Sequence, residues 1–523
     1  MKTHPLNPLD ISWTQVESRD TPMHVAGLMP FILPEGASTD FLRDLVADLR
    51  AAREFMAPWN YCLRGPGLMH PRPVWVEQES VDLEYHVRHS ALPRPGGERE
   101  LGQLVARLHS QPLDLTRPPW EFHLIEGLEG GRFAIYLKMH HSLIDGISGV
   151  RLLTKCMSED PGKSLTLPPF WSPGLEKRAR KERPAPTPLT LDGVLQTVMS
   201  AIGSQVRSAP QLVRAFTSMV TPGESDPALQ LPFDAPKSVM NGRVRGQRRV
   251  ATQLFALDRL KSVARDCDCT LNDVVLAICG GGLRRFLLEE DLLPDKPLTA
   301  GIPVSVRPAD DEGTGTQVTF IIGTLGTDIE DPRERIDAVA SSTRAAKAHF
   351  RRLPSEAITQ YTMLLMAPSI LGMLTPIAGR TRPMFNVTVS NVPGPTRPLY
   401  FRGARMEASY PISLISHGIG LNITCQSYAD VLAFAFVGCR DTLPHLQNVA
   451  VYTADALAEL EASLAKPRTA RPARKKSPAK KTRSRKAAAT GAGKAKAQRP
   501  ASRKPPARPR KARPAAKAKR RGK

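Results

Sequence analysis

The chain has 523 residues, enough for two or more domains with a sizeable buried core. Its formal charge of +23 suggests a nucleic-acid binder, but 25 Lys and Arg, with no Asp or Glu, fall between Lys466 and Lys523, and subtracting them leaves residues 1–465 at about −2. Seven scattered cysteines fit a reducing compartment better than a disulfide framework, and Met1–Asp10 has no apolar run of signal-peptide length, so export is not expected.

In chain order, Leu42, Leu45, Val46 and Leu49 form a helical stripe after Ser38-Thr39-Asp40, with Asp40 a plausible cap, and Leu101, Leu104, Val105 and Leu108 form another. Phe133, Ile135, Leu137 and Met139 alternate with Ala134, Tyr136 and Lys138, the pattern of a half-buried strand. After Asp145-Gly146 the period becomes helical through Ile147, Val150, Leu153 and Met157. Residues 158–190 have the Pro-, Lys- and Ser-rich composition of a linker, and a helical pattern over Leu191–Val220 precedes an irregular stretch to Gln247. Further on, strands are expected near Val250–Ala256, Leu298–Val304, Val318–Leu325, Phe385–Ser390, Gly420–Gln426 and Val431–Phe436. Helices are expected near Asp258–Asp266, Asn272–Glu289, Arg333–Phe350 and Leu443–Leu464. Ala357–Gly379 carries no charge, but its prolines read as breaks, giving a buried or surface-docking helix pair rather than a membrane span. The simplest organisation is an N-terminal lobe (1–157), a linker with a helical segment (158–247), a C-terminal lobe (248–465) and a disordered tail (466–523) whose Ala, Lys, Pro and Arg composition buries too little apolar surface to fold.

The run His140-His141-Ser142-Leu143-Ile144-Asp145-Gly146 sits at a strand-to-helix turn. A hydroxyl attacks a thioester slowly at neutral pH. A neutral imidazole takes its proton as the new bond forms and returns it to the leaving thiolate, and a pKa of ~6.5 suits both steps. His141 is the candidate general base and His140 reads as structural. Asp145 reads as a brace for the turn, and Gly146 permits the tight backbone there. A metal is not expected, since no further His or Glu falls at ligand spacing. Gly146-Ile147-Ser148-Gly149 does not match a hydrolase nucleophile elbow, and Gly280-Gly281-Gly282 reads as close helix packing rather than a phosphate loop.

The double-His run resembles the bacterial wax ester synthase/acyl-CoA:diacylglycerol acyltransferase (WS/DGAT) family, within the coenzyme A-dependent acyltransferase superfamily. The resemblance spans about residues 6–462. It includes Pro8-Leu9-Asp10, Glu17, Pro22-Met23-His24-Val25, Pro112-Leu113-Asp114 and Arg117-Pro118-Pro119-Trp120-Glu121. It continues through Asn272-Asp273-Val274-Val275, Pro303-Val304-Ser305-Val306-Arg307, Ser390-Asn391-Val392-Pro393-Gly394-Pro395 and His417-Gly418-Ile419-Gly420-Leu421-Asn422. Several motifs in the right order are more specific than any one of them. The resemblance implies an α/β fold of mixed sheets: two chloramphenicol acetyltransferase-like lobes with an active-site tunnel between them. It implies acyl-CoA as co-substrate, no cofactor, and diacylglycerol or a long-chain alcohol as acceptor. It also implies that Asn272 lies near the reaction centre, where it would hold the oxyanion or the reacting groups; its other reading is a cap for the following helix. By analogy with the superfamily, Arg307 is a candidate partner for Asp145. One departure is Pro119, where the family commonly has Leu; it stiffens the approach to the strand and bears on acceptor preference.

Two other functions stay open on sequence: a condensation enzyme acting on carrier-bound acyl groups, and a non-enzymatic scaffold on lipid granules or DNA. The tail is expected to bind an anionic membrane or lipid-droplet surface, with non-specific DNA binding as the alternative, because no base-reading motif accompanies its charge. The expected location is cytoplasmic, peripheral to the inner membrane or lipid droplets.

Overall fold

The computed structural model describes residues 2–6, 8–65, 73–143, 149, 152, 154–172, 226–305, 318–351 and 379–465. A small antiparallel sheet joins β1 (Thr3–Pro5), β4 (Val74–Glu77) and β3 (Tyr61–Arg64). The first large sheet runs β12 (Tyr400–Phe401), β13 (Ala404–Met406), β2 (His24–Ile32), β7 (Arg132–His140), β6 (Trp120–Leu128) and β5 (Val87–Ala91), with β14 (Tyr410–Ile412) also paired to β2. The second runs β10 (Val318–Thr324), β9 (Thr299–Ser305), β11 (Val387–Val392), β15 (Leu421–Tyr428), β16 (Val431–Cys439) and β8 (Arg248–Ala256). Both are mixed: β5 is parallel to β6 in the first, and β11 is parallel to β9 and β15 in the second.

Period-two alternation places Phe133, Ile135, Leu137 and Met139 in one core, with Leu45, Val46 and Leu49 from the Phe41–Ala51 helix. Asp40 occupies that helix's cap position without a side-chain cap bond. The other face of β7 was expected to meet water, and it does not. Ala134 and Tyr136 pack with Leu101, Leu104 and Val105 of the Glu98–His109 helix and with Ala433, Ala435 and Val437 of β16. The second sheet covers that face, so even Lys138 is fully buried. The inward face of β7, ending at His140, thus looks toward the second sheet.

Two expected boundaries differ. Residues 400–412 fall in the second half of the sequence yet pair with one another and with β2 in the first sheet. The chain leaves β11 through Asn391–Pro395 to reach them. There the Gly394 N–H donates to Ser427 Oγ (3.1 Å) and Pro395 C=O accepts the Ala429 N–H (2.8 Å). A Cβ on Gly394 would overlap the Ser427 carbonyl, so only glycine fits this passage. The start of the expected linker is also anchored: Phe170 and Trp171 are core residues, and Trp171 Nε1 donates to Ala52 C=O (2.9 Å). Two aromatic side chains outweigh the prolines around them. Residues 173–225 of the expected linker, which include the expected Leu191–Val220 helix, residues 357–378 and the tail lie outside the described residues.

The second lobe follows its sequence pattern closely, with helices at Leu257–Asp266, Leu271–Glu289, Pro332–Arg351 and Leu446–Ala465. Gly280-Gly281-Gly282 lies within the Leu271–Glu289 helix, where added Cβ atoms would collide with Leu325, Arg335, Ala456 and Thr453. This is close packing, as the sequence suggested. No helix among the described residues is long and apolar enough to cross a membrane.

Candidate active site

The double-His run begins where β7 ends. The His140 N–H donates to Pro119 C=O (2.9 Å) and the His141 N–H to Met23 C=O (2.9 Å), so flanking segments pin both residues from opposite sides. His24 stands opposite His140 in the β2–β7 register. The chain turns at once, with the Leu143 N–H donating to His140 C=O (3.0 Å).

The two imidazoles differ in surroundings. His140 is fully buried. Its Nδ1 accepts the Ser142 N–H (3.2 Å) and lies 2.6 Å from Ser142 Oγ. A nitrogen that accepts a backbone N–H carries no proton, so the tautomer places the proton on Nε2. Nε2 faces Glu17 Oε2 at 3.3 Å, within ion-pair range but not aligned as a hydrogen bond. The same carboxylate accepts the Met23 N–H through Oε1 (3.3 Å). His141 is half-buried, and its ring stacks on the Trp13 indole, with centroids 4.4 Å apart and planes 26° from parallel.

Behind this pair, the inward face of the first sheet is a buried polar network. Lys138 Nζ meets Glu121 Oε2 (3.0 Å) and donates to Leu108 and Gln111 C=O. Glu121 also contacts His123 (3.1 Å) and Arg88 (3.2 Å). Burial pushes the Glu121 pKa up, but the His123 hydrogen bond and the Lys138 and Arg88 charges prevail and hold it at about 2. His109 Nε2–H donates to Ser413 C=O (3.0 Å), and Nδ1 accepts from Tyr136 O–H (2.9 Å). Burial pushes the His109 pKa down to about 3, and the same cause drives His24 well below its ordinary value. Both rings are neutral at neutral pH.

Asn272 is the second residue of the Leu271–Glu289 helix and is half-buried. It is not the cap. Thr270 is, in a reciprocal box with Asp273: Thr270 Oγ1 accepts the Asp273 N–H (3.3 Å), and Asp273 Oδ2 accepts the Thr270 N–H (2.9 Å). Asp273 Oδ1 also accepts the Thr343 hydroxyl (2.6 Å), tying this helix to Pro332–Arg351. Asp145, Gly146 and Arg307 lie outside the described residues. Among the described residues, no group of three or more His, Cys, Asp or Glu is placed to hold a metal ion. Trp13 and Ser142 had no signal in the sequence. Glu17 and Met23 stood out there only as marks of resemblance, and the fold brings both to the histidines.

Comparison with known proteins bears on this arrangement. The wax ester synthase/diacylglycerol acyltransferase catalytic domain matches residues 6–275, and the WS/DGAT C-terminal domain matches residues 314–461. The chain belongs to the WS/DGAT family. A Mycobacterium tuberculosis relative, provisionally named a diacylglycerol O-acyltransferase, is 48% identical over 488 residues, covering 88% of this chain and 97% of its own. The WS/DGAT structure from Marinobacter aquaeolei superposes with a TM-score of 0.71 at 37% identity, covering 88% of this chain and 100% of that one. The first condensation domain of the CDA synthetase shares the fold at a TM-score of 0.53 and 18% identity, covering 89% of this chain and 97% of that one. The two-lobed acyltransferase fold of mixed sheets is thus that of the WS/DGAT family, and the chain is an O-acyltransferase of that family.

Proposed function

We propose that this WS/DGAT-family protein transfers a long-chain acyl group from acyl-CoA to the hydroxyl of diacylglycerol, of a long-chain alcohol, or of both, with His141 as general base. The observation that carries the reading is the contrast between the two histidines. His140 is buried, with its ring between Ser142 and Glu17, whereas His141, the residue after the strand end, is half-buried on a backbone pinned by Met23. In the step, the acceptor O–H hydrogen-bonds to an imidazole nitrogen of His141 and its oxygen attacks the thioester carbonyl. The C–O bond forms as the proton passes to the ring. Collapse breaks the C–S bond, and the proton leaves with the CoA thiolate. No external oxidant, reductant or metal is required. In this reading Asp145 braces the turn with Arg307 as its candidate partner, Gly146 allows the turn, and Asn272 helps hold the oxyanion or the reacting groups.

The 25 cationic residues of 466–523 are assigned to an anionic membrane or lipid-droplet surface, where acceptors of this solubility reside. Non-specific DNA binding is the alternative. The catalytic reading is tested by offering palmitoyl-CoA with hexadecanol and dioleoylglycerol together and analysing the products. His141→Ala should lower ester formation by about 100-fold or more. Ester accumulating at the parental rate in a folded His141→Ala variant would reject the base assignment.

A further inference from the structure

One short element reaches both histidines. The Pro8–Val16 helix presents Trp13 to the face of His141, and one turn later, just past the helix end, Glu17 reaches His140. The Glu17 contact has a plain structural purpose, since it also holds the Met23 N–H. The Trp13 contact closes no core: both rings are only half-buried.

A general base works in the plane of its ring, along the nitrogen lone pair. An aromatic plate lies against a face of the ring and not along that edge. It hinders rotation of the ring about its side-chain torsion and keeps water off the covered face. The stack also favours the charged form, because an imidazolium rests on the negative face of the indole. The contact therefore strengthens as the proton arrives, and such differential binding lowers the barrier.

We infer that Trp13 is a positioning residue for His141, fixing the plane of its ring and favouring the imidazolium formed during acyl transfer. This rests on His141 being the base. The substrate is not expected to gain its affinity from Trp13, so the effect falls on kcat rather than on KM. A stacked pair of this kind corresponds to about three- to ten-fold in rate.

The test uses the full-length protein with palmitoyl-CoA and hexadecanol, comparing the parent with Trp13→Leu, Trp13→Phe and His141→Ala. Trp13→Leu should lower kcat by about five-fold with both KM values within about two-fold of the parent, and Trp13→Phe should restore most of kcat. Equal kcat for the Leu and Phe variants would reduce the contact to bulk packing and overturn the inference. A change confined to KM would make Trp13 a substrate contact and overturn it as well. If Trp13→Leu fails to fold, Trp13→Met supplies the non-aromatic arm. The two failures are separable: activity surviving in His141→Ala removes the base reading, whereas an inactive His141→Ala beside a parental Trp13→Leu removes only the positioning role.

Discussion

Glu17 and His140 meet at 3.3 Å in the interior of the first lobe, and the same carboxylate holds the Met23 N–H while Met23 C=O holds the His141 N–H. One side chain thus faces His140 and reaches His141 through the backbone of Met23. Glu17→Ala should remove both links, costing about 1–3 kcal/mol of stability and about ten-fold in activity. Glu17→Gln keeps an acceptor for Met23 and should retain most of both. Chemical denaturation and initial rates check this; an alanine variant matching the parent in both would show that the linkage does not matter.

The passage between the sheets gives a second prediction. Gly394 lies where the chain crosses from β11 toward β12, against the Ser427 carbonyl. Gly394→Ala must displace backbone and should destabilise the protein by about 1–3 kcal/mol. Because the crossing positions strands that pair with β2, activity should fall even at temperatures where the variant is folded. Thermal melts beside rates at 20 °C separate the two effects, and unchanged melting would contradict the close packing described.

How legible this was varied with the kind of residue. Helices and strands of the second lobe were readable because their apolar periods are local, as in Val431–Cys439 and Leu271–Glu289. The buried inner face of β7 was not, because Lys138 is a solvent residue by composition and is covered only when the distant β16 strand packs over it. Strands at 400–412 joined the first sheet through a crossover that periodicity cannot report. At the site, spacing singled out His140 and His141, but Ser142 and Trp13 became meaningful only through contact. The cap reading of Asn272 failed because Thr270, two residues earlier, pairs with Asp273.

The basic tail yields a salt-dependent prediction. With 25 Lys and Arg and no acid after residue 465, full-length protein should sediment with vesicles containing anionic phospholipid at low salt. It should release as salt rises from about 50 to about 200 mM, because binding by charge alone displaces counterions. A variant ending at Ala465 should stay in solution with neutral vesicles and anionic vesicles alike. Equal sedimentation of both proteins on anionic vesicles would assign membrane association to the body instead.

The buried histidines make acid stability a further readout. Burial holds His86 at about 4 and His109 at about 3, against ~6.5 in an unfolded chain. Both pKa values are depressed, so the unfolded state binds more protons below pH 6.5. The stability these residues provide is complete above that pH and is lost as pH falls toward 3 to 4. Each histidine that stays neutral only in the fold adds about 1.4 kcal/mol per pH unit to the slope across its window. Glu121, at about 2, adds its own loss only below the ordinary carboxylate range near pH 4.3. Stability should therefore begin to fall near pH 6.5, two units before carboxylates contribute. His109→Gln offers a donor for Ser413 C=O and an acceptor for the Tyr136 hydroxyl without a titrating ring. It should lower the slope between pH 6 and 4.5 by about 1.4 kcal/mol per pH unit, leaving the shares of His86 and His24 and the carboxylate loss below pH 4 in place. Denaturation midpoints across that range decide it: a parental slope in His109→Gln would mean that this ring does not govern the acid response.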